Sequence, residues 1–365
     1  MLCSENAHPG KRMVDNRSTG QAKLGSARSR APVFVLGSHR SGTKLLYYSL
    51  LSAGGFAVFP EESGVYTVLG VHFGNLAVRG NRRKLLDAYC QSALFLATGL
   101  DRKDIEQRVM EQCRNAGDFL RIQMEAIARK QGVERWAEST PKHVLVLPLI
   151  KKQIPDALVI HIIRDGRDSA ASLYRMKNFR SLPWDRSRHH LASAMFWRWL
   201  VDAGRRYGRA LGPDYMEVHY EDLVLNPRET LARIGEFIDH DLDYDRIQQV
   251  GLGSVTRPNS SFRGDSKEAV TSTFGRWKRI FTPEQIRDIE WCIGELLVDT
   301  GYRLETPRSE LRPSLSVRFM NFLYPLYLNT RLWLKMNTPL ARLEDRRGGG
   351  VVAHVTSGDR TVQAE

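Results

Sequence analysis

Cysteine is scarce in this chain. Only Cys3, Cys90, Cys113 and Cys292 occur in 365 residues, and no two of them form a Cys-x-x-Cys pair. No Cys/His cluster has zinc-ligand spacing, so the sequence offers neither a metal site nor a disulfide framework. Reduced thiols in a chain of this length point to a cytoplasmic setting. Long apolar runs are missing too. Leu145–Leu149 and Leu158–Ile163 are the most apolar stretches, and both fall far short of the about 20 residues of a membrane-spanning helix. The first 30 residues hold charges and small polar side chains, without the apolar segment of a secretory leader. Acidic residues are in deficit: 41 Asp and Glu stand against 54 Lys and Arg, a formal net charge of +13. That balance favours an anionic ligand, nucleic acid or an acidic membrane surface, and does not choose among them.

What is present falls into four parts. Residues 1–30 are rich in Ser, Gly, Arg and Lys without apolar periodicity, and are expected to be a disordered tail. Residues 31–305 alternate short apolar strands with helical patterns. Residues 306–346 form a basic amphipathic helical extension, and 347–365, with Gly348–Gly350, a loose tail. In the central part, Val33–Leu36, Phe56–Phe59, Leu158–Ile163 and Tyr215–Tyr220 are expected strands. The patterning predicts helices over Lys44–Leu51, Arg82–Ala97, Ile105–Arg129, Val144–Gln153, Ser169–Arg175, 191–210, Pro227–Ile238 and Ile286–Leu297. A loop is expected around Trp136–His143. Apolar strands interleaved with helices imply an α/β fold of three layers, with a central parallel sheet flanked by helices.

Two segments carry the chemistry. At Gly37–Lys44 a strand ends, a glycine-bounded loop follows, and a helix begins. Successive backbone N–H groups and a helix N-terminus make such a loop an oxyanion cradle. Arg40, Ser41, Thr43 and Lys44 add donors. The order Thr43-Lys44 is the reverse of the Lys-Ser/Thr order of a nucleotide-binding Walker loop. An ordinary βα turn with incidental basic residues is the competing reading. The second segment is Ile163–Ser172. Arg164 stands at the C-terminal end of the strongest strand, the edge at which open parallel sheets bind ligands. Ser172 lies in the first turns of the next helix, and a guanidinium with a hydroxyl suits a second phosphate. Asp165 and Asp168 are expected to cap that helix and orient Arg167. A salt-bridged turn without a ligand is the alternative.

Together these residues resemble a known family. Arg40-Ser41-Gly42-Thr43 after a strand is similar to the 5′-phosphosulfate loop of sulfotransferases that use 3′-phosphoadenosine 5′-phosphosulfate (PAPS). Ile163–Asp168 with Ser172 is similar to their 3′-phosphate motif. Tyr220-Glu221-Asp222-Leu223 and Gly275-Arg276-Trp277-Lys278 resemble later landmarks, in family order. The resemblance spans about Pro32 to Tyr302, and is nearest the bacterial, carbohydrate- and tyrosylprotein-type branches. It implies a fold like the P-loop-containing nucleotide hydrolases, PAPS as co-substrate and no metal. By position it implies that Ser38, His39, Arg40, Ser41, Gly42, Thr43 and Lys44 hold the 5′ side, that Arg164 and Ser172 hold the 3′-phosphate, and that Tyr220 lies by the adenine. There are departures. Lys44 stands where most relatives have a second Thr, and Ser139 where many have a lysine, whose charge Lys142 or Arg40 would supply. The late Arg-Lys-Gly of the family has no match before Gly275, with Arg263 or Lys267 as substitutes.

Sulfuryl transfer resembles phosphoryl transfer, in which catalysis is mainly positioning and charge neutralisation. Arg40 is the expected neutraliser of the leaving phosphate. For a base, Glu62 is favoured over Glu61, by similarity to the glutamate that follows the loop in tyrosylprotein sulfotransferases; a solvated turn is the alternative. His143 is the second candidate, against a structural role. Trp197, Trp199, Trp277 and Trp291 read as core packing. The segment Leu311–Leu343 mixes aromatic, aliphatic and basic residues, so it either makes peripheral contact with an anionic membrane or packs on the core or a second subunit. The expected acceptor is a small molecule, a carbohydrate or a lipid, with no nucleic acid as partner. Two other functions compete: a P-loop kinase or NTPase, and a catalytically inactive binding protein on the same fold.

Overall fold

The computed structural model describes residues 27–176, 188–256 and 274–338. In it five short segments become strands: β1 (Val33–Gly37), β2 (Phe56–Ala57), β3 (Arg135–Glu138), β4 (Leu158–Ile163) and β5 (Tyr215–His219). They pair in parallel in the order β2-β3-β1-β4-β5. Parallel neighbours require crossover connections, so helices cover both faces. The helices around the site are α1 (Thr43–Ser52), α2 (Ala116–Lys130), α3 (Gly166–Tyr174), α4 (His189–Arg209), α5 (Tyr220–Leu225), α6 (Pro227–Ile238), α7 (Pro283–Asp299) and α8 (Leu315–Asn337). Side chains alternate across the sheet. Val33, Val35, Ile160 and Ile162 enter a core shared with α1 and α6, whereas Phe34, Leu36, Val159 and Ile163 enter a larger core shared with α2, α4 and α7.

Several expectations are corrected. The loop predicted at Trp136 begins as β3, which four residues headed by a charged Arg135 do not announce. Arg135 is buried, and its guanidinium donates to the carbonyls of Ala31 (2.8 Å), Arg28 (2.7 Å) and Ile238 (2.9 Å). The strand predicted over Phe56–Phe59 stops at Ala57. Beyond it the Gln131 amide pairs with Val58, accepting from its N–H (2.7 Å) and donating to its carbonyl (3.0 Å). The helix predicted over Val144–Gln153 divides into a 3₁₀ turn, Pro141–Val146, and a helix, Leu147–Gln153, with Pro148 in its first turn. A proline lacks the donor a helix interior needs, and is tolerated at a start. The two long helical patterns divide likewise. Ser92 caps the second half of one, accepting from Phe95 N–H, and Asn115 caps α2, accepting from Asp118 N–H (3.0 Å). Tyr220 opens α5 and does not end β5.

Register decides where the motifs meet. Gly37 is level with Ile162, Ile163 with His219, and Phe34 with Glu138. The segments leaving β1, β3, β4 and β5 therefore emerge at one sheet edge. The chain leaves β1 to one side and crosses after β3 to the other, the kind of switch point at which open sheets bind ligands. Among the described residues no helix is long and apolar enough to cross a membrane.

Candidate active site

The loop after β1 is held in an uncommon shape. Arg40 has φ 69° and Gly42 φ 93°, both left-handed. Such a conformation costs a non-glycine residue about 1–3 kcal/mol and persists only where surrounding contacts over-determine it. The Ser41 N–H donates to Ser38 O at 3.2 Å, closing a tight turn. At Gly42 the requirement is double: a β-carbon there would also lie 2.3 Å from Tyr220 Cδ2. Ser38, Ser41 and Thr43 are buried, and Ser41 Oγ lies 3.5 Å from Ser169 Oγ on α3. The Lys44 side chain is exposed on the first turn of α1.

The second motif locks onto the first. Arg164 donates from Nη1 to the Arg40 carbonyl (3.2 Å), and Arg40 donates from Nε to Ser172 Oγ (2.9 Å). The Arg164 guanidinium lies over the Tyr220 ring, 4.5 Å from its centroid. Tyr220 thus packs beneath Arg164 and against Gly42. Trp197 on α4 fixes the strand end by donating its indole N–H to Arg164 O (3.1 Å). A cavity opens here, lined by Arg40, Arg164, Asp168, Ala171, Ser172, Arg175, Arg276 and Ile280. Four arginines and one aspartate line it, so its lining is predominantly basic.

Two of the lining arginines, Arg175 and Arg276, were not among the sequence candidates. Arg276 arrives through Asp168. That side chain does not cap α3 as expected; it accepts from the N–H groups of Gly275 (2.9 Å) and Trp277 (3.3 Å), pinning the segment that carries Arg276. Burial pushes the Asp168 carboxyl up against the pull of Arg164. Asp165 does cap α3, through Arg167 N–H (2.8 Å), and pairs with the Arg167 guanidinium. Arg167 itself turns into the core, bonded to Glu290 (2.6 Å) and stacked on Trp277 (4.2 Å). Arg263 and Lys267 lie outside the described residues.

On the other side of the loop stand Glu61 and Glu62. The two diverge. Glu61 acts on Tyr48, whose hydroxyl burial and then the Glu61 charge push up. Glu62 is exposed, and the charges of Lys44, Glu138, His143 and Lys142 act on it. Its side chain keeps contact with solvent, yet protein crowds it, and that desolvation pushes its carboxyl above the ordinary range; Lys44 pulls it down, Glu138 up, and His143 and Lys142 down. Lys142 is crowded too, and desolvation, then Lys335 and Arg331 of α8, hold its ammonium below the ordinary value. His39 stacks on Phe196, with centroids 5.5 Å apart. Burial, then the charges of Lys142 and Arg40, lower its imidazole to about 3, so it is neutral at physiological pH.

His143 does not reach the cleft. It is wholly buried, its Nδ1 lies 3.2 Å from Glu138 Oε2, and Tyr66 packs on it edge-on at 5.3 Å. The role of external base is corrected to that of a buried partner for Glu138, a residue the sequence reading passed over. Glu138 also accepts from Ser63 Oγ (2.7 Å), Thr140 Oγ1 and Thr140 N–H (3.2 Å). Burial raises its carboxyl, but His143, Thr140 and Ser63 more than offset this, and the net shift is downward. The cluster fixes the turn from β3 towards Lys142. Among the described residues, no group of three or more His, Cys, Asp or Glu is placed to hold a metal ion.

A parallel α/β sheet with two interlocked basic motifs at its carboxyl edge describes a broad class of protein. Comparison narrows it. Residues 32–244 match the model of the sulfotransferase family, and the chain belongs to that family. It is 27% identical over 205 residues to carbohydrate sulfotransferase 2 of Mus musculus, and equally to that of Homo sapiens. The match covers 45% of this chain and only 38% of the length of those relatives. The sulfotransferase domain from the curacin biosynthetic pathway shares the fold, with a TM-score of 0.52 at 16% identity, over 74% of this chain and 98% of that one.

Proposed function

We propose that the chain transfers the sulfuryl group of PAPS to a hydroxyl of its acceptor. The observation that carries this reading is the Arg164–Arg40–Ser172 interlock. It joins the two motifs into one cavity whose charge suits a nucleotide bearing phosphate at both ends. The cavity's Arg164, Ser172, Arg175 and Arg276 would hold the 3′-phosphate, and the loop N–H groups, Arg40 and Lys44 the 5′-phosphosulfate.

In the reaction the acceptor oxygen attacks sulfur in line. The bond from sulfur to the bridging oxygen of the 5′-phosphate breaks, and 3′,5′-bisphosphoadenosine leaves with the electron pair. Arg40 and Lys44 neutralise the charge growing on that oxygen. The hydroxyl proton passes to Glu62, whose raised carboxyl is a stronger base than an ordinary carboxylate. Lys142 supplies the cation that Ser139 does not.

A carbohydrate hydroxyl is the acceptor class we favour, from the names of the curated relatives. Calorimetry with 3′,5′-bisphosphoadenosine, on wild type and Arg164→Ala, tests the nucleotide site. Labelled PAPS with carbohydrate, lipid, peptide and phenolic acceptors tests the reaction. A folded protein with no affinity for the nucleotide would overturn the reading.

A further inference from the structure

Helix α8 is apolar on two opposite sides. Val317, Met320, Tyr324 and Leu328 are buried in the main core, and Asn321 and Asn329 anchor the helix to α4 by accepting from Arg198 (2.8 Å) and Trp199 (2.8 Å). At 100° per residue, Leu315, Phe319, Phe322, Leu326 and Trp333 fall on a second stripe, diametrically opposite the first. All five are exposed, from 53% at Leu326 to 83% at Leu315. The helix runs 23 residues, about 35 Å. Large apolar side chains aligned over such a length are a surface that wants a partner.

Charge identifies the partner. No Asp or Glu occurs from 311 to 343, whereas Arg318 on α8 and Arg312 just before it are exposed. A second copy of the chain would have to bring this patch against itself, cation facing cation, because a two-fold interface is self-complementary. An anionic lipid surface offers apolar depth for the aromatic stripe and negative headgroups for the arginines. We propose that the exposed stripe of α8 seats this protein on an anionic membrane, with the helix lying in the plane of the interface and its opposite side still packed on the core.

Docking in this pose has a consequence for the site. Arg331 and Lys335 follow Tyr324 and Leu328 by seven residues, so they continue the core-facing side of α8, where their charges act on Lys142 beside Glu62. The helix that meets the membrane thus also acts, through charge, on a residue beside the proposed base. This part rests on the proposed sulfotransfer reading; the docking does not.

The test is flotation of the full-length protein with vesicles. Binding is expected to vesicles of phosphatidylserine mixed with phosphatidylcholine, to weaken at high salt, and to be much weaker on pure phosphatidylcholine. Phe319→Ser/Phe322→Ser should reduce binding on the order of 10- to 100-fold. Its far-UV circular dichroism and urea midpoint should stay near those of wild type, which shows that it folds by a measure independent of the functional reading. Wild-type protein that does not float with anionic vesicles overturns the proposal. So does a folded double variant that floats as well as wild type, or a lipid-free dimer that the same double substitution dissociates.

Discussion

The Arg164 guanidinium donates to the carbonyl of Arg40, 124 residues earlier, at 3.2 Å. Arg40 itself is in a left-handed conformation. One side chain therefore both shapes the loop and lines the anion cavity. We predict that Arg164→Ala weakens 3′,5′-bisphosphoadenosine by about 10- to 150-fold, the loss expected for one hydrogen bond to a charged group. Arg164→Lys should recover only part of this, because an ammonium cannot serve a carbonyl and a phosphate in the plane of a fork. Calorimetry distinguishes the cases; equal affinities in all three proteins would remove Arg164 from the site.

Gly42→Ala is predicted to damage the loop more than its size suggests. The new methyl would meet the Tyr220 ring at 2.3 Å, in a conformation that already disfavours a side chain. Loss of nucleotide affinity with a drop in stability of about 1–3 kcal/mol is expected. If the clash with the ring dominates, Tyr220→Ala in the same chain should restore part of the stability in urea titrations. No recovery would leave backbone strain as the cause.

Glu62 is predicted to set the acid limb of the kcat/KM profile. Its carboxyl is raised, so activity should climb with pH at values above those of an ordinary carboxylate, about 4.3. Glu62→Gln should lower kcat about 10²- to 10⁴-fold and abolish the limb. Lys142 holds the Glu62 carboxyl down, so Lys142→Ala should move the limb to higher pH. A limb that survives Glu62→Gln would assign the base elsewhere.

The Glu138 cluster is predicted to matter for stability rather than for contact with substrate. Glu138→Ala leaves Ser63, Thr140 and His143 without a buried acceptor, a loss of about 2–5 kcal/mol. The folded carboxyl is held below its ordinary value. Its contribution should thus be fully present above about pH 5 and be lost as pH falls through the lowered folded value. Urea titrations of wild type and variant from about pH 7 to 3 should show a constant gap that closes only at the acid end.

The two segments that meet at the cavity were legible because each is contiguous. Gly37–Lys44 and Ile163–Ser172 each join a strand to a helix through a short turn, and local chemistry carries the signal. The parallel α/β class followed from the same alternation, with Leu158–Ile163 as its plainest strand. Glu138 and β3 were missed because four residues with a buried arginine have no period to detect. Arg175 was missed because nothing in its own segment marks it, and Arg276, although inside a recognised landmark, carried no sign that its side chain reaches this cavity. Arg276 enters only because Asp168 accepts hydrogen bonds from the backbone on either side of it.

By itself, then, the chain's order of residues determined which turns could hold an anion, since a turn's glycines, donors and following helix lie side by side in sequence. It also determined that α8 has no acid to repel a negative surface. Tertiary structure alone decided that the two turns share one cavity and that His143 is sealed inside. The shared cavity depends on strand order and register, which bring Arg164 to Arg40, 124 positions earlier, and no local pattern encodes such neighbours.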